Sequence, residues 1–227
     1  MFVVVIGYND THYQRLNERL TSLNINFQYE RPCLHSVASL ATAIYQNGNR
    51  VDSVHSLLDE QKNASDLCQQ ADVIILLVEN CPNIKTLCRI VQNIRLIGTR
   101  ALVMMTGVLL TTVFQHATGQ EIGKIAAYIG ADILIPEVHY EQTVLEILKA
   151  FERNTSLNDI QNIIFRDSSG YHITKPGQGY PFRPTGYVNW KLMNHIGREV
   201  QINTSWSCPF RCTHCFYPGM MGRYRMY

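Results

Sequence analysis

The sequence predicts an α/β fold built on a parallel sheet, and three observations carry that reading. Five short apolar runs, Phe2 to Ile6, Val51 to Leu57, Asp72 to Glu79, Ala101 to Thr106 and Asp132 to Pro136, are separated by segments of helical periodicity. Strands alternating with helices are the pattern of a parallel sheet covered on both faces. Five such strands favour the flavodoxin-like (Rossmann-like) order 2-1-3-4-5. The chain's 227 residues, 46% hydrophobic and 17% charged, suffice for one full domain and part of a second.

The first run, within MFVVVIGYND, lacks a basic leader and stops at Gly7, so it reads as a strand and not as a signal peptide. Leu34 to Asn47 predicts a helix with Gly48 as its stop; Ile84 to Leu96 follows Pro82. Gln142 to Phe151 carries Val144, Ile147, Leu148 and Phe151 at helical spacing. The longest apolar stretch, Ala101 to Phe114, contains threonines and a glycine and falls short of the ~18 residues a bilayer span needs. A cytoplasmic chain with reduced thiols is expected. The formal net charge of +2 gives no electrostatic case for nucleic acid or an anionic membrane, although Arg198, Arg211, Arg223 and Arg225 make the C-terminal stretch locally basic, suited to a carboxylate or phosphate.

Ligands of open α/β sheets bind at the carboxyl ends of the strands. Here those ends lead into Gly7 to Asp10, Glu79 to Pro82, Thr106 to Leu110 and Pro136 to His139, which are expected as loops. Neither GxGxxG nor GxxxxGK occurs, which argues against a dinucleotide or a nucleoside triphosphate and for a bulkier ligand held by backbone and shape. Beyond the sheet, Asn154 to Asp159 reads as a linker. Ile163 to Arg166 and Tyr171 to Thr174 read as a small hairpin about a Ser168-Ser169-Gly170 turn, and Pro176 to Gly186 as an extended connector.

The sharpest signal lies near the C-terminus. Three of the seven cysteines, Cys208, Cys212 and Cys215, are spaced by three residues and then two. Closely spaced thiolates of this kind suit one soft metal centre; iron–sulfur clusters usually take four, so three would leave one iron with an open face. The lead-in Val200 to Thr204 reads as a strand feeding this loop, with Pro209 keeping Cys208 out of a regular helix. Two other readings stand beside it. The cysteines would share one face of a helix as core thiols, or they would bind structural zinc, whose fourth ligand would have to be His214, His195 or His172. Cys33, Cys68 and Cys88 sit in helical patterns as small apolar residues, while Cys81 ends the third strand on the ligand side.

The run CPFRCTHCF, Cys208 to Phe216, resembles the Cys-x-x-x-Cys-x-x-Cys loop of the radical S-adenosylmethionine enzymes. That resemblance implies a 4Fe–4S cluster on Cys208, Cys212 and Cys215 that chelates the methionine part of S-adenosylmethionine, with His214 near the adenine where an aromatic or apolar residue is commoner. The order of an α/β domain, hairpin, proline-rich connector, Asn189 to Leu192 segment and cysteine loop resembles the cobalamin-binding members of that family. By this likeness residues 1–153 form a cobalamin-binding α/β domain, 154–197 a hairpin and linker, and 198–227 the first strand and cluster loop of an incomplete βα barrel. The cofactor contacts it implies at the strand ends are Gly7, Tyr8, Asn9, Glu79, Thr106, Gly107 and Glu137; no residue is assigned a catalytic role.

The sequence departs from the pattern at Val138 and Tyr140, where glycines are usual, and after Gly107, where a second glycine and a histidine are absent. Asp10-Thr11-His12 matches the Asp-x-His of proteins that ligate cobalt through histidine, but Arg15 stands in the place of the glycine that the motif requires; His12 is expected instead in the first turn of a helix capped by Asp10 or Thr11. The function expected is the N-terminal portion of a cobalamin-type radical enzyme, methyl transfer being among the reactions implied, with an electron donor to reduce the cluster and a substrate the sequence does not specify. The chain alone is expected to be inactive, since 198–227 supply one unit of a βα barrel that takes ~250 residues, with no second strand to pair the first. The alternative is an α/β module that binds a ligand or partner and carries a non-catalytic tail.

Overall fold

The computed structural model describes residues 1–9, 19, 22–23, 34–58, 60–81, 83–177, 187–193, 205–206, 210 and 225–226. Asp10 to Arg15, Cys33, the lead-in Val200 to Thr204, Cys208, Cys212, His214 and Cys215 lie outside them.

Five strands run parallel in the expected order. β1 (Phe2–Asn9), β2 (Arg50–Val54), β3 (Val73–Asn80), β4 (Leu102–Thr106) and β5 (Ile133–Ile135) form the sequence β2-β1-β3-β4-β5. Continuous apolar runs produce this sheet because each central strand is buried on both faces. Along β1, Val3 and Val5 enter one core, while Phe2, Val4, Ile6 and Tyr8 enter the other.

Helices α1 (His35–Gln46), α2 (Gln61–Gln70), α3 (Ile84–Leu96), α4 (Val108–Gln115), α5 (Gly119–Ile129) and α6 (Tyr140–Arg153) divide between the faces. Val37, Leu40 and Ile44 of α1 and Val144, Ile147 and Leu148 of α6 fill the first core. Cys68 of α2, Leu87 of α3, Leu110 of α4 and Ile129 of α5 fill the second.

Several stretches differ from expectation: Gly7 to Asn9 continue β1, and Glu79 and Asn80 continue β3, in place of the expected loops. Thr106 to Leu110 is not a loop: β4 ends at Thr106, and α4 starts at Val108. Gly107 alone makes the turn, at φ 118° and ψ 174°, and a Cβ there would lie 2.3 Å from Val78 O. Only glycine reconciles that backbone with that contact. The hairpin, β6 (Ile164–Asp167) and β7 (Gly170–Ile173), joins the main sheet, β6 pairing antiparallel with β5 and β7 with β6. Asp132 ties this edge at the amino end of β5. Its carboxylate accepts from Arg95 and, at 2.8 Å each, from Arg166 Nη2 and the Val103 amide.

Residues 187–193 return across the α1 and α6 face. Val188 and Met193 are buried in that core, and Met193 bridges Ser53 of edge strand β2. The chain thus passes from beside β7 to beside β2, opposite edges of a seven-stranded sheet and roughly 30 Å apart at the usual strand spacing. A separate two-stranded ladder pairs β8 (Ser205–Trp206) antiparallel with β9 (Arg225–Met226). This ladder joins the two ends of the cysteine-bearing stretch; the lead-in Val200 to Thr204, expected to lack a pairing strand, lies outside the described residues.

Candidate functional site

In a sheet of this order the strand sequence reverses between β1 and β3, and the crevice at their carboxyl ends is the usual ligand position. Tyr8 pairs with Val78, but Asn9 pairs with Asn80, so Glu79 is an extra residue in the ladder. Such bulges re-aim side chains and are rare between parallel strands. Register depends on the neighbouring strand, so the sequence of β3 alone gives no sign of it.

Glu79 hydrogen-bonds with Ser36 in the first turn of α1, and Ser36 also hydrogen-bonds with Tyr140 at the start of α6. Burial pushes the Glu79 carboxyl up, against the lowering effect of Ser36. The buried Tyr140 phenol is pushed well above its ordinary range by burial, then by the neighbouring Glu141 and Glu79 carboxylates. Glu141 is pushed up to about 7, mainly by burial and further by Glu79 and Glu137. Carboxyls shifted this way favour their neutral forms, which donate as well as accept hydrogen bonds. Asn9 Oδ1, at the end of β1, is buried and has no hydrogen-bond partner among the described residues. A buried acceptor left unmatched is costly and suits a ligand donor.

The other expected contacts are tied into the fold. Gly7 lies where a Cβ would meet His55 O at 2.4 Å, so it lets the chain leaving β2 pass close over β1. Tyr8 is buried in the second core. The Thr106 hydroxyl donates to Ile135 O at 3.0 Å, joining β4 to β5. Glu137 is buried and accepts from Thr143 Oγ1 at 2.5 Å and Asn162 Nδ2 at 2.7 Å. Asn162 Oδ1 in turn accepts from the Gly177 amide at 2.7 Å, which fastens the segment after the hairpin to the β5–α6 turn.

Asn9 and Glu79 thus sit at the same end of the neighbouring strands β1 and β3, and Glu79 interacts with Ser36, Tyr140 and Glu141. In the sequence Tyr140 stands out only as a departure from glycine. Its position, in the first turn of a helix that follows a strand, was the available signal. Among the described residues no three His, Cys, Asp or Glu side chains form a group able to hold a metal ion. Within the expected cluster loop only Phe210 is described, and it is exposed. No described helix is long and apolar enough to cross a membrane.

No protein-family model and no curated protein matches the sequence. Solved structures do match. TsrM from Kitasatospora setae, a radical S-adenosylmethionine methyltransferase with cobalamin and a 4Fe–4S cluster bound, is similar over 99% of this chain and 43% of its own, at TM-score 0.64 and 17% identity. The same enzyme has been solved with tryptophan substrate and a S-adenosylmethionine analogue. OxsB, a cobalamin-dependent S-adenosylmethionine radical enzyme with aqua-cobalamin and S-adenosylmethionine bound, is similar over 94% of this chain and 28% of its own, at TM-score 0.56 and 15% identity. The chain has the fold of the matching parts of these enzymes and spans less than half the length of either.

Proposed function

We propose that this chain is the cobalamin-binding and cluster-binding portion of a cobalamin-dependent radical S-adenosylmethionine enzyme, with methyl transfer as its reaction. The supporting observation is a Cys-x-x-x-Cys-x-x-Cys run carried by a chain whose fold is that of enzymes solved with cobalamin and a 4Fe–4S cluster. In this reading residues 1–153 hold the corrinoid, 154–197 connect, and 198–227 open the radical domain. The setting is a reducing, cytoplasmic one, with an external electron donor.

The residues present fit both groups. Three thiolates, Cys208, Cys212 and Cys215, would hold an iron–sulfur cluster with one iron left open, and His214 beside the last of them would flank the adenine of S-adenosylmethionine. At the carboxyl end of the sheet Asn9 Oδ1, without a partner among the described residues, would accept a hydrogen bond from an amide of the corrinoid periphery. Glu79 and Glu141, whose carboxyls burial pushes up, would add hydrogen-bonding groups beside it. The bound cofactors supply radical and alkyl-transfer chemistry, while the protein aligns them and excludes water.

Anaerobic reconstitution with iron and sulfide tests the first half. A brown protein with visible charge-transfer absorbance is expected, and the triple substitution of Cys208, Cys212 and Cys215 by alanine should remove colour and iron together. Full iron content in the triple variant overturns the assignment. A colourless wild-type chain that also leaves the cobalamin spectrum unchanged would favour the α/β binding module instead.

A further inference from the structure

The chain between the hairpin and the cysteine stretch reads in the sequence as a passive connector, yet residues 187–193 are fastened at specific points. Ser53 on β2 is fully buried, and its hydroxyl donates to Leu192 O at 2.7 Å, with Met193 Sδ 3.0 Å away. Thr42, buried within α1, donates to Ala38 O at 2.7 Å and accepts from the Asn189 amide at 2.9 Å. Between these anchors Trp190–Leu192 forms a 3-10 turn capped by the Asn189 side chain, and the Trp190 ring lies 6.1 Å from that of His35.

A buried hydroxyl on a core face is costly without a partner. Ser53 finds its partner in a segment more than a hundred residues away in sequence, and Thr42, already bonded to Ala38 O, accepts from the same segment. The Ser53–Met193 bridge lies level with Val5, four residues before Asn9 ends β1. Met193, where the described segment ends, therefore lies beside β2 and runs parallel to it, in the direction of the sheet end that carries Asn9 and Glu79.

We propose that residues 187–193 are a docked strap that fixes where the cysteine-bearing stretch departs from the sheet, with Ser53 and Thr42 as its positioning residues. The consequence for cofactor alignment rests on the function proposed above; the docking does not.

Hydrogen exchange on the whole chain tests the docking. The Asn189, Leu192 and Met193 amides should be protected in the wild type. In the Thr42→Val, Ser53→Ala double variant they should exchange about tenfold faster, with protection in β1 and β3 unchanged. Thr42→Ser, which keeps the hydroxyl, should behave as wild type and serves as the folded control. Unprotected amides in the wild type, or unaltered exchange in a folded Thr42→Val chain, overturn the strap.

The positioning role has its own readout in the iron-reconstituted protein. The double variant should hold wild-type iron but lose its colour to a chelator about threefold faster or more, and restoring Ser53 with Thr42→Ser should reverse this. Unchanged bleaching alongside faster exchange refutes positioning. Absence of iron from the wild type defeats the cluster assignment, and with it the positioning role, while exchange still decides the docking.

Discussion

Gly107→Ala is the sharpest single perturbation of the sheet's ligand edge. Gly107 combines φ 118° and ψ 174° with a carbonyl, Val78 O, 2.3 Å from the place its Cβ would take; Val78 C and N lie 2.8 Å from it. The backbone region is close to glycine-only and costs another residue ~1–3 kcal/mol. The clash is with the backbone of a central strand, not with a side chain that can rotate away, and overpacking of this kind costs a further ~1–3 kcal/mol. A loss of about 4 kcal/mol is expected, equivalent to a Tm lowered by roughly 8–16 °C in a chain of this size. Urea denaturation followed by circular dichroism measures it. Gly123→Ala, inside α5 with nothing within 4 Å of the new methyl, is the control and should gain ~0.5–1 kcal/mol. A Gly107→Ala chain within about 1 kcal/mol of wild type would refute the account of this turn.

Two other outcomes follow from partly buried carboxyls. Glu141 has its carboxyl raised from an ordinary 4.5 to about 7, so between those values the folded chain holds a proton that the unfolded chain releases. Stability from this group should be full below pH ~4.5, fall by an amount on the order of 3 kcal/mol as pH rises to ~7, and then level. Glu141→Gln should flatten that decline in urea midpoints, and an unchanged slope would count against the assignment. Asp132→Asn removes the charge that Arg95 and Arg166 share at the amino end of β5 and should cost about 2 kcal/mol, less at high salt; an unshifted midpoint in low salt would show the network to be inert.

The parallel strands were legible because burial on both faces writes them as unbroken apolar runs, as in Val73 to Val78. α4 was not, since Val108 to Phe114 continues the apolar composition of β4, and the break is a single backbone conformation at Gly107. The hairpin could be read from its turn, but its attachment to β5 is a tertiary pairing with no local signature. At the candidate site the strand ends were readable from topology, whereas the Glu79 bulge depends on the register of β1 against β3. Ser53 and Thr42 look like ordinary polar residues until the segment that meets them is in place. The three cysteines are the reverse case: their spacing is wholly in the sequence.

The antiparallel hairpin has a consequence for how this module can be moved between proteins. β5 has only three residues, all buried, and it pairs with β4 on one side and β6 on the other. A boundary drawn at Arg153, where the last helix stops, would bare that apolar strand as an open template for self-association. It would also strip Ile163, Phe165, Val188 and Met193 from the α1 and α6 core. The smallest piece that recombination or engineering could transplant intact therefore ends no earlier than Met193, and the seam for a new partner lies past the far edge of the sheet.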